Sequence, residues 1–165
     1  MKTQATRAAQ NPLVAEFVFT YNGWVIDSVD GVKKTFGATV ANSVDPGESG
    51  LTGPVANTVV FDAIGMPLGS VVTGGEVIVE QAFVGPTAAT LSVGIAGSTT
   101  ALANAVDLKT AGRTALTLSS TSQLLCNNGQ DIRATEAYTV ANATAGKARL
   151  RVMFTLDGRA DQVVK

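Results

Sequence analysis

Hydrophobic and polar residues alternate along most of this chain, and its last long segment shows the pattern most clearly. Over residues 147–156, one set of alternating positions is apolar and the other set is basic or polar in four of its five positions. Successive side chains of a β-strand point to opposite faces of a sheet, so this period of two predicts a half-buried strand. The apolar positions, which we expect to face a core, are Ala148, Leu150, Val152, Phe154 and Leu156.

Comparable segments recur along the chain, with turn residues between them. They predict strands at 13–21, 24–26, 32–36, 58–63, 76–84, 90–95, 113–118, 131–140 and 147–156. Many short strands with turn signals between them favour two packed antiparallel sheets over an α/β fold. An alanine-rich stretch at 99–105 is compatible with one short helix or with an irregular crossover. The predicted fold class is therefore all-β, an antiparallel β-sandwich or jelly-roll-like domain with at most one short helix.

Two short turns carry specific predictions. Asn22-Gly23 and Asp30-Gly31 each stand between β-forming runs, and such pairs favour type I′ hairpin turns, which need φ > 0 at both central residues. Four aromatic residues lie beside the first turn, namely Phe17, Phe19, Tyr21 and Trp24. We interpret them as a local hydrophobic cluster, with an aromatic platform for a ligand as the alternative.

The distribution of polar and small residues divides the chain into an N-terminal arm at 1–12, a β-sandwich domain at 13–158 and a C-terminal tail at 159–165. Residues 37–57 are rich in Gly, Pro, Ser and Asp, and so long a loop is usually functional or an inter-subunit element. Their oxygen-bearing side chains lack the regular spacing of an EF-hand calcium loop.

Composition excludes several classes of partner. The chain has 12 Lys and Arg against 13 Asp and Glu, with no basic stripe of the kind that nucleic-acid binding uses, so we expect no nucleic-acid partner. No apolar run is long enough to cross a membrane, and residues 1–10 lack the apolar core of a secretory signal. The charged fraction is 15%, which is low against a typical ~25% and is common on subunits that pack against neighbours.

Candidate chemistry is sparse. The chain has no histidine, which excludes Ser-His-Asp and Cys-His arrangements and the zinc sites that use histidine. Its single cysteine, Cys126, cannot form an internal disulfide and is interpreted as a small structural residue of a protein that folds in a reducing cytoplasm. Glu76 and Glu80 share one strand face, but we interpret them as a solvated polar face rather than an acid/base pair. We expect no enzymatic activity, no cofactor and no metal.

Four segments in the second half of the chain resemble a known family in their order. They are MPLGSVVTGGEVIVEQAF at 66–83, ATLSVGIAG at 89–97, ALANAVDLKTAGRTAL at 101–116 and NATAGKARLRVMFTL at 142–156. Together they are similar to the small decoration, or cement, proteins of tailed-bacteriophage capsids. The resemblance covers a little over half of the chain, about residues 64–156, and residues 13–57 match no family pattern.

The resemblance implies a β-sandwich or jelly-roll homotrimer that is made in the host bacterial cytoplasm and binds the outer surface of the capsid. Its partners would be the major capsid protein and other copies of itself, and its task would be to stabilise the shell. Candidate capsid contacts lie in the arm, at Lys2, Arg7 and Pro12, where the two basic side chains would suit an acidic capsid surface. The alternatives are another virion subunit, such as a head fibre or tail protein, and a carbohydrate-binding β-domain.

Overall fold

The computed structural model describes residues 12–29, 31–36, 58–124, 126–139 and 141–156, without the side chain of Leu124. Within these ranges the chain forms ten β-strands and a single-turn 3₁₀ helix, Ser122–Leu124. The strands are β1 (Leu13–Thr20), β2 (Trp24–Ile26), β3 (Lys33–Thr35), β4 (Thr58–Ile64), β5 (Ser70–Val84), β6 (Ala88–Ile95), β7 (Ser98–Asp107), β8 (Gly112–Ala115), β9 (Ile132–Thr139) and β10 (Ala145–Leu156).

Eight of the strands form two four-stranded antiparallel sheets that pack as a sandwich. Sheet 1 has the order β1-β10-β5-β8 and sheet 2 has the order β4-β9-β6-β7, while β2 and β3 form a separate two-stranded ribbon. The predicted all-β sandwich is therefore confirmed. The predicted arm at 1–12 and tail at 159–165 lie outside the described residues apart from Pro12, so these boundaries stay predictions.

The alternation of β10 has the predicted effect. Its apolar residues Ala148, Leu150, Val152 and Phe154 are buried between the sheets, and the residues between them lie on the outer face of sheet 1. β10 is central because it pairs with β1 on one side and with β5 on the other.

One glycine in β10 is required by the packing of the two sheets. Gly146 has φ +151°, and a Cβ atom there would lie 2.5 Å from the ring of Phe83. The ring of Phe83 therefore packs directly on backbone, beside an irregularity in the β10–β5 register between Ala145 and Ala148.

The turn at Asn22-Gly23 is not the predicted hairpin. β1 pairs with β10 and not with β2, and neither Asn22 nor Gly23 has positive φ. The amide of Gly23 donates to the carbonyl of Thr20 at 2.9 Å, and this turn takes the chain out of sheet 1 into the ribbon. The second prediction is confirmed in part: a turn that contains Gly31 (φ +74°) joins the antiparallel strands β2 and β3. Asp30 lies outside the described residues, so the type of this turn stays a prediction.

The prediction of a possible short helix at 99–105 is also wrong. Ser98–Asp107 is β7, which pairs with β6 and buries Leu102 and Val106 against the core. Alanine has the highest intrinsic helix propensity, but propensity is a small effect that pairing with a neighbouring strand overrides. Ala105 has φ +49° at an irregularity in the pairing, which accounts for the broken alternation of this segment.

Aromatic residues fill one end of the core. The rings of Phe17, Phe19, Phe36, Phe61 and Phe83 form a connected cluster, with centroids 5.1 to 6.4 Å apart between contacting rings. Phe17 and Phe19 therefore belong to the main core and not to a cluster confined to the first turn. Tyr21 is partly buried against the same core, and the prediction is wrong for Trp24, whose side chain lies on the surface.

Candidate interaction surfaces

The outer face of sheet 1 carries a network of seven charged side chains, which we call the charged ladder. Antiparallel register places Glu16 of β1 beside Arg151 of β10, and Arg151 beside Glu76 of β5. The members of the ladder are Glu16, Glu76, Glu80, Arg113, Lys147, Arg149 and Arg151.

The ion pairs of the ladder run across all four strands. Arg151 bridges Glu16 and Glu76, with nitrogen–oxygen distances of 2.6 and 3.2 Å, and Arg113 of β8 donates to Glu76 at 2.8 Å. Arg149 contacts both Glu16 and Glu80, and the Lys147 ammonium lies 2.7 Å from Glu80. The face is therefore an ion-paired array of three acidic and four basic side chains.

The ion pairs of the ladder disfavour general-acid chemistry by its two candidate carboxylates. The hydrogen bond from Arg113 lowers the pKa of Glu76, and the hydrogen bond from Lys147 lowers the pKa of Glu80. A general acid needs a raised pKa so that it holds a proton at neutral pH. Glu76 and Glu80 therefore form a polar ion-paired face, as expected.

A second surface is the β2–β3 ribbon, which is anchored through Asp27. Its Oδ2 accepts hydrogen bonds from the Lys34 ammonium at 2.7 Å and from the Val60 amide of β4 at 3.1 Å. Its Oδ1 accepts from the Val29 amide at 2.8 Å, and the Ser28 amide donates to the Val60 carbonyl at 2.6 Å. These bonds attach the ribbon to β4, the edge strand of sheet 2.

Two signals in the sequence point to this anchor, which was not among the predicted sites. Asp27 lies three residues before the predicted turn at Asp30-Gly31, where a carboxylate commonly accepts a backbone amide two residues on. Alternation along β3 places Lys34 opposite in direction to its neighbours Lys33 and Thr35, so its side chain points inward. Both Asp27 and Lys34 are buried.

The outward side of the ribbon is apolar. Trp24 is 57% exposed, Ile26 is 51% exposed and Val29 in the turn is 76% exposed, and the Lys33 ammonium lies 4.5 Å from the centre of the Trp24 ring. A tryptophan beside aliphatic side chains on the surface is typical of a contact site for another molecule. We call these four residues the ribbon face.

The predicted capsid-contact residues fall at the start of the chain. Pro12 is exposed and directly precedes β1, an edge strand, while Lys2 and Arg7 lie outside the described residues. The exposed side chains of Val14 and Val18 follow on β1, next to the ladder residue Glu16.

The remaining candidate for chemistry, Cys126, is buried as expected. Burial raises the pKa of its thiol to about 11, so it is protonated at neutral pH and is a poor nucleophile. Within the described ranges, no group of three or more acidic, Cys or His side chains is arranged to hold a metal ion. The described part of the chain likewise has no helix of the length and apolar content needed to span a bilayer.

Comparison with known proteins adds a likeness in fold. No protein-family model and no curated protein matches the chain. Among solved structures, a chain of one described as "Cyanophage Pam1 capsid asymmetric unit" matches with a TM-score of 0.53 at 18% sequence identity. The two chains share a fold. The match covers 94% of this chain and 97% of that chain, so it extends over both β-sheets and is not confined to a local motif.

Proposed function

We propose that this chain is a structural subunit of a bacteriophage capsid, and specifically a decoration protein that binds the outer surface of the major capsid protein lattice as a homotrimer. The observation that carries the proposal is the shared fold with a chain of a phage capsid asymmetric unit over nearly the full length of both chains. The order of the four segments at 66–156, which is similar to that of decoration proteins, supports the same role.

The surfaces of the domain suit such a role. The charged ladder, which contains the candidate carboxylates Glu76 and Glu80, is ion-paired. The ribbon face, in contrast, presents Trp24, Ile26 and Val29 to the outside. A contact repeated many times over a shell stabilises it by multivalency even when each contact is weak. Stabilisation of a lattice therefore requires only modest surfaces of this kind.

Binding to shells tests the proposal directly. Purified chain, added to shells of the major capsid protein from the same virion, is expected to co-sediment with them and to appear by electron microscopy as regular density on their outer surface. Light scattering of the free chain is expected to give about three times the 16.8 kDa of one subunit. Failure to bind any shell would overturn the function, and a strictly monomeric mass would overturn the trimer.

Deletion of residues 1–10 tests the role of the arm. The deletion removes Lys2 and Arg7 but leaves Pro12 and β1 in place, so we expect an intact trimer with weaker shell binding. A matched control replaces Lys2 and Arg7 by Gln in the full-length chain, which separates charge from length. Unchanged occupancy of shells by the deleted chain would remove the arm from the contact.

A carbohydrate-binding β-domain is the second candidate, because Trp24 is exposed on the ribbon. Sugar rings stack on the open face of an indole, but the Lys33 ammonium already lies over this ring. On a glycan array we therefore expect no binding by the wild-type chain. Binding that is lost in Trp24→Ala and retained in the control Ile26→Ala would favour this candidate over the capsid role.

A further inference from the structure

A carboxyl group is buried in the sandwich without a charged partner among the described residues. Glu136 of β9 is 0% exposed, and the residues beside it in register, Val59 of β4 and Leu91 of β6, are apolar and buried. Its Oε1 accepts a hydrogen bond from the Tyr138 hydroxyl, and its Oε2 has no hydrogen-bond partner in the part of the chain that the structure describes.

The opposite sheet gives Glu136 no cation. The buried side chains that β1, β10 and β5 direct into the core are apolar, apart from Ser70 at the start of β5. The other buried ionisable groups among the described residues are Asp27 and Lys34, which bind each other in the ribbon, and Cys126. The one titratable group found in contact with Glu136 is thus Tyr138, two residues away on the same strand.

An ionised carboxylate is poorly tolerated in such surroundings. Burial of a charge without a compensating partner is costly, and a buried acid responds by keeping its proton. Burial here raises the pKa of Glu136 to about 8, against the smaller opposing effect of the hydrogen bond from Tyr138. The closed sandwich therefore contains the neutral acid at neutral pH.

We propose that Glu136 is a proton-dependent switch of sheet packing: its neutral carboxyl is compatible with the closed sandwich, and its ionisation loosens the contact between the two sheets. The inference concerns the folded chain alone and is independent of the capsid role. It follows from the position of the carboxyl between Val59 and Leu91 and from its unpartnered oxygen.

The sign of the pH effect follows from proton binding. Between the ordinary value of 4.5 and the folded-state value of about 8, the folded chain keeps the Glu136 proton and the unfolded chain has lost it. Unfolding then releases a proton, so stability is fully present below about pH 4.5 and falls as the pH rises towards 8. One such group raises the unfolding equilibrium constant by up to tenfold per pH unit, or about a thousandfold over the window.

The experiment is urea unfolding of the full chain, followed by circular dichroism from pH 5 to pH 9 in constant ionic strength. The free energy of unfolding of the wild-type chain is expected to fall across this range. In Glu136→Gln, most of the thousandfold rise in the unfolding equilibrium constant is expected to be absent, since the amide cannot ionise. Glu80→Gln is the matched control, because it removes the same charge from an ion-paired surface position. In this control, the free energy of unfolding is expected to change with pH as steeply as in the wild-type chain.

An equal pH dependence of the free energy of unfolding in the wild-type chain and in Glu136→Gln would overturn the proposal. A titration of the wild-type chain keeps it testable should Glu136→Gln not fold. With ¹³C-labelled glutamate, one of the five carboxyl resonances is expected to titrate near pH 8. Titration of all five below about pH 5.5 would contradict the switch.

Discussion

Replacement of Asp27 by alanine is expected to destabilise the chain by about 3–5 kcal/mol, the range for breaking a buried ion pair. The substitution removes a carboxylate that contacts the Lys34 ammonium at 2.7 Å and accepts the amides of Val29 and Val60. Because these bonds attach the ribbon to β4, the loss should appear first in the ribbon. Trp24, the single tryptophan, lies in the ribbon and reports its detachment by fluorescence.

The measurement compares two probes of urea unfolding. In Asp27→Ala, the Trp24 fluorescence is expected to change at lower urea than the circular dichroism of the sheets, whereas both probes should coincide in the wild-type chain. Asp62→Ala is the matched control, because Asp62 of β4 also contacts the ribbon through Ser28 but pairs with Arg133 near the surface. Its loss should cost at most about 1 kcal/mol. Equal effects of the two substitutions would contradict the role assigned to Asp27.

The fold class could be predicted from the sequence because the alternation of apolar and polar residues indicates which face of a strand is buried. β10 shows this best, since a shift of one residue would move Leu150 and Val152 to the surface and Arg149 and Arg151 into the core. Alternation also placed Glu76 and Glu80 on an outer face. In a strand with regular alternation such as β10, local sequence is sufficient to predict which side is buried.

The order of strands in the sheets could not be predicted in this way, because the sequence of a strand does not specify which strand it pairs with. β1 pairs with β10, so residues 13 and 154 are neighbours across the sheet. The Asn22-Gly23 pair favoured a local hairpin, but β1 pairs instead with β10, the last strand of the domain. The aromatic cluster follows the same logic, since Phe17 and Phe19 contact Phe61 and Phe83 from later strands and not the nearby Trp24.

The candidate surfaces were predictable only in part. The charged ladder follows from outward positions on single strands, but its ion pairs depend on register between strands distant in sequence. The exposure of Trp24 follows from the ribbon, a separate two-stranded element that Asp27 and Ser28 attach to β4. A pattern that identifies apolar residues as core assigns such a tryptophan to the interior, and only the tertiary structure corrects it.

Replacement of Phe61 by alanine is expected to cost about 3–5 kcal/mol, because a large aromatic side chain is removed from a fully enclosed position. The Phe61 ring centre lies 5.4 Å from that of Phe17 and 5.1 Å from that of Phe36. These residues come from sheet 2, sheet 1 and the end of the ribbon, so the cavity would weaken three elements at once. Thermal unfolding followed by circular dichroism measures the loss.

Two controls separate the cavity from other effects. Phe61→Leu retains much of the side-chain volume and should cost clearly less than Phe61→Ala, since the loss grows with the cavity left behind. Val18→Ala removes an apolar group from an exposed position on β1 and is expected to change stability by no more than about 0.5 kcal/mol. A loss in Phe61→Ala as small as that in Val18→Ala would show that the ribbon and the two sheets are held together without the aromatic cluster.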